Sequence, residues 1–347
     1  MNQDLDKNKR YWQRWGLPGL TLLTLIWCLG LLGIGVWQWK RHTAGSEVTP
    51  TSPQQPAFKS VQNVPVGTFR YGGSPVWAPI RLLVDATIQA ERREFQLRHV
   101  ASGQARDNSN TGIQMLLAGQ LDFVQSARPL TEQERQLAKQ QGFQLLEIPV
   151  AIDGLTVAVH PDLPVAGLTV DQLQAIYTGQ IDNWQDVNGP DLPIIPYSQP
   201  LRANSTVNLL TESVLQQASF ASRIQFVSTT TEALRKVARH SGGIYYASVS
   251  EILSQCTVKP LPLGLQTDNL IPPYQAPLTP IKQCLAQRPT VNSKVFQSGQ
   301  YPLTRYLYVI IKQNNQIEER AGQAYAQLLL TAQGQAMMAQ AGVVPLR

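Results

Sequence analysis

Four short loops in this sequence join small hydroxyl or amide side chains to the end of a strand or the start of a helix. They are Gly72-Gly73-Ser74, Asn108-Ser109-Asn110-Thr111, Ser126-Ala127-Arg128 and Asn204-Ser205-Thr206. The first turn of a helix leaves backbone N–H groups without intrahelical partners and carries a partial positive charge. Hydroxyls placed beside it complete a cradle for a small anion. A single such loop usually reads only as an N-cap. Four on one scaffold point to anion binding. No catalytic chemistry emerges beside them. His99, His160 and His240 lie at separate strand and helix ends, with no Ser/His/Asp order or metal-ligand spacing linking them. The sequence reading is therefore of a protein that is not an enzyme, with no cofactor and no metal.

Alternating strands and helices must hold these loops. Strands are expected at Phe69 to Gly72, Phe95 to Val100, Asp122 to Gln125 and Gln144 to Pro149, with helices at Ala78 to Arg93, Gly112 to Ala118 and Glu132 to Gln141. A second series begins with an apolar strand, Gly154 to Val159. A helix opened by Thr169 and Asp171 follows, then a strand Leu192 to Tyr197, a helix from Val207 to Gln217, a strand Ile224 to Val227, a helix Glu232 to His240 and a strand Gly242 to Tyr246. Residues 257–300 are rich in proline and weak in periodicity, and read as an insertion or long connection. Tyr306 to Lys312 is a strong β-run, and Glu318 to Ala341 one long helix or a broken pair. Such an order builds α/β lobes with polar loops at strand ends.

Composition narrows the class. Hydrophobic content of 43% and charged content of 15% describe a globular protein. The net charge of +6 is concentrated in residues 1–41, which carry six Lys/Arg against two Asp/Glu, so the remainder is close to neutral. No run of basic residues interleaves with aromatics, which argues against nucleic acid as a partner. Leu20 to Trp37 is uncharged, and as a helix its 18 residues span roughly 27 Å, near the thickness of a hydrocarbon core. Trp12, Trp15, Trp37 and Trp39 flank it, and Lys7, Lys9, Arg10 and Arg14 precede it, which favours a cytoplasmic N-terminus. The expected organisation is a basic tail (1–19), a transmembrane anchor (20–39), a flexible linker (40–66) rich in Ser, Thr, Pro and Gln, and a domain from 67 to 347. A cleaved signal peptide is the alternative for the apolar run. Cys256 and Cys284 would lie in the exported part, where a disulfide across the Pro-rich excursion is permitted; two buried thiols are the alternative.

Several separated blocks resemble one family. Ile176-Tyr177-Thr178-Gly179 through Asn183-Trp184 to Gly189-Pro190-Asp191-Leu192-Pro193 is similar to a segment of the phosphate-binding proteins of bacterial ABC phosphate importers. So are Gln120 to Leu130, the hinge-like stretch Pro149 to Val159, Gly242 to Ala247, Tyr301 to Arg305, and the C-terminal Gln333-Gly334-Gln335 and Gly342 to Leu346. The resemblance covers about residues 67–347. It implies an α/β, two-lobe type 2 periplasmic-binding-protein fold with the ligand cleft between lobes, here preceded by one transmembrane helix. One lobe would hold about 67–152 and 251–347, the other about 153–250. The implied function is capture of inorganic phosphate or a related oxyanion on the periplasmic side of the inner membrane for an ABC permease. An anchored sensor or scaffold of the same fold that feeds no transporter is the alternative.

The resemblance implies a ligand set as well: Ser74 and the Val76 amide, Ser109, Asn110, Ser126, Arg128, Asn204, Ser205 and Thr206. Three positions depart from the family pattern. Pro75 removes one hydroxyl and one N–H, Ala127 stands where some members carry an Asp that reads the phosphate proton, and Arg202 lies two residues closer to Thr206 than expected. Distinguishing a protonated oxyanion from sulfate requires an acceptor in the cleft, and Asp107 is the candidate, with Arg106, Arg128 or Arg202 as counter-charge. Asp153 reads as a structural hinge residue.

Overall fold

The structure, a computed structural model, describes residues 57–103, 107–201, 205–216 and 218–346. The expected anchor, most of the expected linker, and Arg106, Arg202 and Asn204 lie outside the described residues. Among the described residues no helix is long and apolar enough to cross a membrane.

The first lobe is built on Gly67–Gly73, which pairs in parallel with Phe95–His99 on one side and Phe123–Ser126 on the other. Parallel neighbours need helical crossovers, and these bury the sheet between apolar layers. The crossover after the first strand runs from Pro75 to Glu91, through a short 3-10 turn and one π-helical stretch at Arg81–Asp85. Ser109–Leu117 begins at a capping box in which Asn108 Oδ1 accepts from the Thr111 N–H at 2.9 Å. Glu132–Gln140 begins at another, between Thr131 and Glu134. Both are local signals written in the sequence.

Two strands carry the chain between the lobes. Gln144–Val159 is one 16-residue strand, not the separate strands expected at 144–149 and 154–159. Pro149 has no N–H to donate, and the ladder accommodates it by a bulge: Tyr308 faces Pro149 while Leu307 faces Ala151. The first part of this strand pairs with Thr304–Gln313, and residues 155–159 pair with Gly243–Ser248 of the second lobe. Ile195–Ser198 and Gln225–Phe226 complete that half of the sheet.

The lobe boundary inferred from sequence needs correction in its C-terminal part. Lys259–Leu261 pairs with residues 157–159, and Leu263 with Leu168, while Phe296, Tyr301 and Leu303 pack in the second lobe's core. Residues 251–303 therefore belong largely with the second lobe, and the chain returns at Thr304. The segment also holds three short strands and two short helices, Ile281–Cys284 and Ser293–Gln297, where a long connection was expected. Its prolines mask the alternation that would have revealed them. Cys256 and Cys284 are disulfide-bonded. Closing a loop with a sequence separation of 28 contributes about 3–4 kcal/mol in the chain-entropy picture.

The described end of the expected linker is also ordered onto the domain. Phe58 is fully buried with Trp77 and Ile80, and its N–H donates to Gln333 Oε1 at 2.8 Å. Burying such a side chain contributes about 1.5–3 kcal/mol. The carboxy-terminal helical region is a broken pair, Ile317–Leu330 and Ala332–Gln340, with Thr331 capping the second member. The Asn183-Trp184 to Asp191 block turns out to be architectural. Trp184 is fully buried and donates to Gly242 O at 3.1 Å, while the Asn183 side chain ties Gln185, Leu192 and Asp191 into one turn.

Candidate anion-binding cleft

The first-lobe loops are drawn together by missing side chains. Gly73 has φ +126, and a Cβ there would lie 2.3 Å from Gln125 O; a Cβ on Gly112 would lie 2.7 Å from the Gly73 Cα. The start of helix Ser109–Leu117 can therefore sit directly on the Gly73-Ser74 turn. The Ser74 N–H donates to Gln125 O at 2.8 Å, and the Ala127 N–H donates to Ser109 Oγ at 3.0 Å. The second of these bonds ties the second loop to the third. Ser126 Oγ donates to Arg128 O at 2.7 Å, so this hydroxyl braces its own turn.

The second lobe meets these loops with helix Ser205–Ser213, whose first residues Ser205 and Thr206 are both buried. Ser74 Oγ and Ser205 Oγ stand 3.2 Å apart, one from each lobe and both shielded from solvent. Beside this contact lies a cleft of 520 Å³, lined by Pro75, Val76 and Asp107 from one side and by Gln199, Thr206, Thr230, Tyr245 and Glu251 from the other. The structure thus gathers Ser74, Val76, Asp107, Ser205 and Thr206 at the interlobe surface, with Ser109 immediately behind. Asn110 is exposed and its amide oxygen accepts from Arg128 Nε at 2.7 Å.

Arg128 borders a neighbouring pocket, with Asn110 on its own side and Asn208 and Thr211 of the second lobe, and not the cleft that Asp107 lines. Its guanidinium pairs with Glu134, with Nη2 to Oε1 at 2.6 Å and Nη1 to Oε2 at 3.0 Å, and also reaches Pro129 O. Burial tends to raise the Glu134 carboxyl, but the hydrogen bond from Arg128, with those from Thr131, holds it below its ordinary range. The cause is local: Glu134 is already fixed by its capping box, and Arg128 lies within reach of it.

Two functional candidates were missed by sequence reasoning. The carboxylate of Glu251 lines the cleft and accepts from the Ser248 N–H at 3.2 Å, and burial raises it above the usual carboxylate range. Asp107, the acceptor expected from sequence, lines the opposite side and accepts from the Ser102 N–H at 2.7 Å. Arg305 is the second. It faces Asp153 in the antiparallel register and donates to Asp153 Oδ2 from Nε at 2.9 Å and from Nη2 at 2.7 Å. Nη2 also donates to Thr206 Oγ1 at 2.8 Å. Asp153 is fully buried and takes a further hydrogen bond from Ser248 Oγ. Asp153 was expected to be structural, and Arg305 appeared only inside a family-like stretch. The signal available was weak: one basic residue at the mouth of an apolar strand.

Among the described residues no group of three or more His, Cys, Asp or Glu is placed to hold a metal ion. His240 Nδ1 lies 2.5 Å from Tyr197 Oη, in the second lobe. Hydroxyls, amide groups and helix starts facing one another across a cleft form a site suited to holding an oxyanion.

A family model described as PBP superfamily domain matches residues 60–333. The phosphate-binding protein PstS of Staphylococcus epidermidis (strain RP62A) is 27% identical over 273 residues, 78% of this chain and 76% of that protein. PstS of Staphylococcus haemolyticus is 28% identical over 237 residues, 67% of each chain. Among solved structures, a Clostridium perfringens protein assigned as a phosphate ABC transporter substrate-binding protein, solved with bound phosphate, aligns with TM-score 0.63 at 18% identity, covering 81% of this chain and 100% of that one. An ABC-type phosphate transport receptor from Vibrio cholerae aligns with TM-score 0.58 at 19% identity, covering 80% and 99%. With the family model matched over residues 60–333, this chain belongs to the PBP superfamily and has its type 2 periplasmic-binding-protein fold.

Proposed function

We propose that this chain is an extracytoplasmic solute-binding protein that takes inorganic phosphate or a closely related oxyanion into its interlobe cleft for delivery to an ABC permease. The observation that carries the reading is the buried meeting of Ser74 and Ser205 beside the start of helix Ser205–Ser213. Hydroxyls of both lobes meet there at a helix start, as an anion bridging two lobes requires. The names of the staphylococcal relatives and of the solved neighbours support phosphate as the cargo. Asp107 and Glu251 are the acceptors available for a protonated oxyanion, while sulfate offers no proton to either. An acceptor left without a partner costs about 1–3 kcal/mol, roughly tenfold to a hundredfold in affinity.

In this reading residues 20–39 tether the domain to the inner membrane with the N-terminus cytoplasmic. Mass spectrometry of the mature N-terminus tests the tether, and removal of residues 1–44 would overturn it. Calorimetric titration of the full-length chain with phosphate, arsenate and sulfate tests the cargo. Heat with phosphate and arsenate but not with sulfate is expected. No heat with any of them overturns transport capture in favour of an anchored sensor or scaffold.

A further inference from the structure

We infer that Arg305 is a direct contact for the bound oxyanion and supplies the cleft's positive charge, an inference that rests on the oxyanion reading of the cleft. Its side chain is only 6% exposed. The Nε and Nη2 edge of the guanidinium is occupied by Asp153, and Nη2 spends its second proton on Thr206 Oγ1. Nη1 is buried and has no hydrogen-bond partner among the described residues. Because the guanidinium is planar with its donors in a fixed fork, one Nη1 proton points alongside the Nη2 proton that reaches Thr206. Thr206 lies in the first turn of helix Ser205–Ser213 and lines the cleft. The vacant donor and the helix start are therefore directed to the same place. A buried cationic donor without a partner is unfavourable unless something fills the position, and an anion oxygen beside Thr206 does so with a charge-assisted bond.

The arrangement also explains how the site manages with Arg128 committed to Glu134. Asp153 holds Arg305 side-on and in one orientation, leaving its end-on donors for Thr206 and the ligand. Asp153 and Arg305 belong to the two strands that join the lobes, and Thr206 to the second lobe, so the contact places the charge at the hinge side of the cleft.

Two substitutions separate this role from a merely structural one. Arg305→Gln removes the fork, and phosphate binding by the full-length protein is expected to weaken about 10- to 100-fold. Asp153→Asn removes the counter-charge but keeps the guanidinium and an amide oxygen to orient it, and phosphate affinity is expected to fall far less than in Arg305→Gln. Equal weakening in both, with circular dichroism showing both folded, overturns the inference and leaves phosphate capture standing. A crystal structure of wild-type protein with phosphate decides the matter without any substitution. Nη1 within about 3.2 Å of a phosphate oxygen is expected, and a phosphate bound beyond its reach overturns the contact. Wild-type protein that binds no phosphate overturns both this inference and the reading it rests on.

Discussion

The back of the first lobe and the hinge each bury one carboxylate, and they hold it by different means. Asp85 accepts from the phenols of Tyr71 and Tyr325, both at 2.7 Å, and no ion pair reaches it among the described residues. Burial raises its carboxyl to about 6, only partly offset by those two hydrogen bonds and by the nearby charge of Arg81. Asp153 instead meets the Arg305 guanidinium side-on, with Ser248 as a further donor. Neutral donors make a buried carboxylate tolerable but leave it near the point of taking a proton. A guanidinium instead meets the carboxylate with an opposite charge and two directed hydrogen bonds. The lobe core thus holds a carboxyl raised by burial, and the hinge holds a buried ion pair.

The largest expected effect tests the hinge side. Asp153→Ala leaves a buried guanidinium without its counter-charge and should cost about 3–5 kcal/mol of stability in urea unfolding. A loss below about 1 kcal/mol would mean that the pair is far better solvated than its burial implies.

Asp85 sharpens the other side. Its folded-state carboxyl binds a proton up to about pH 6, against an unfolded value near 3.8. The folded state therefore holds more protons between those limits, and stability falls as pH rises through them. The contribution present below the unfolded value is lost above the folded one, a change of roughly 1–3 kcal/mol. Urea midpoints measured across that window should show the fall in wild type and lose that component in Asp85→Asn. An unchanged profile would mean that Asp85 does not titrate there.

Tyr325→Phe should cost less, about 1–2 kcal/mol, by removing one donor from Asp85 and one acceptor from Gln125 Nε2. The smallest effect belongs to the pair of Arg128 with the buried Glu134, outside both regions. Glu134→Gln should lower the melting stability by about 1 kcal/mol or less, with phosphate affinity unchanged. A tenfold loss of affinity there would return Arg128 to the list of ligand residues.

Much of the scaffold was legible because its signals are local. Capping boxes at Asn108, Thr131 and Thr169 lie within three residues of their partners, so the helices they open could be read directly. Ser74, Ser205 and Thr206 could be picked out for the same reason, as hydroxyls beside element ends. The tie between Arg128 and Glu134 was also within reach, six residues apart at a capping box, but a basic residue beside a hydroxyl loop drew the competing reading. Arg305 was not legible. Its partners lie 152 and 99 residues away, and nothing in the sequence near it distinguishes a ligand from a strand-end charge. The single strand through Pro149 was hidden as well, because a bulge is set by the facing strand and leaves no local mark.

By itself the sequence determined the alternation of strands and helices, the hydroxyl loops at their ends and, through separated blocks of resemblance, the class of protein. Those properties follow from spacing along the chain, where neighbours interact whatever the distant residues do. Only the tertiary structure decided that Arg305 pairs with Asp153, which lobe receives residues 251–303, and that Ser74 and Ser205 meet. Each depends on residues brought together across the hinge, and sheet register with close packing, not local propensity, sets those distances.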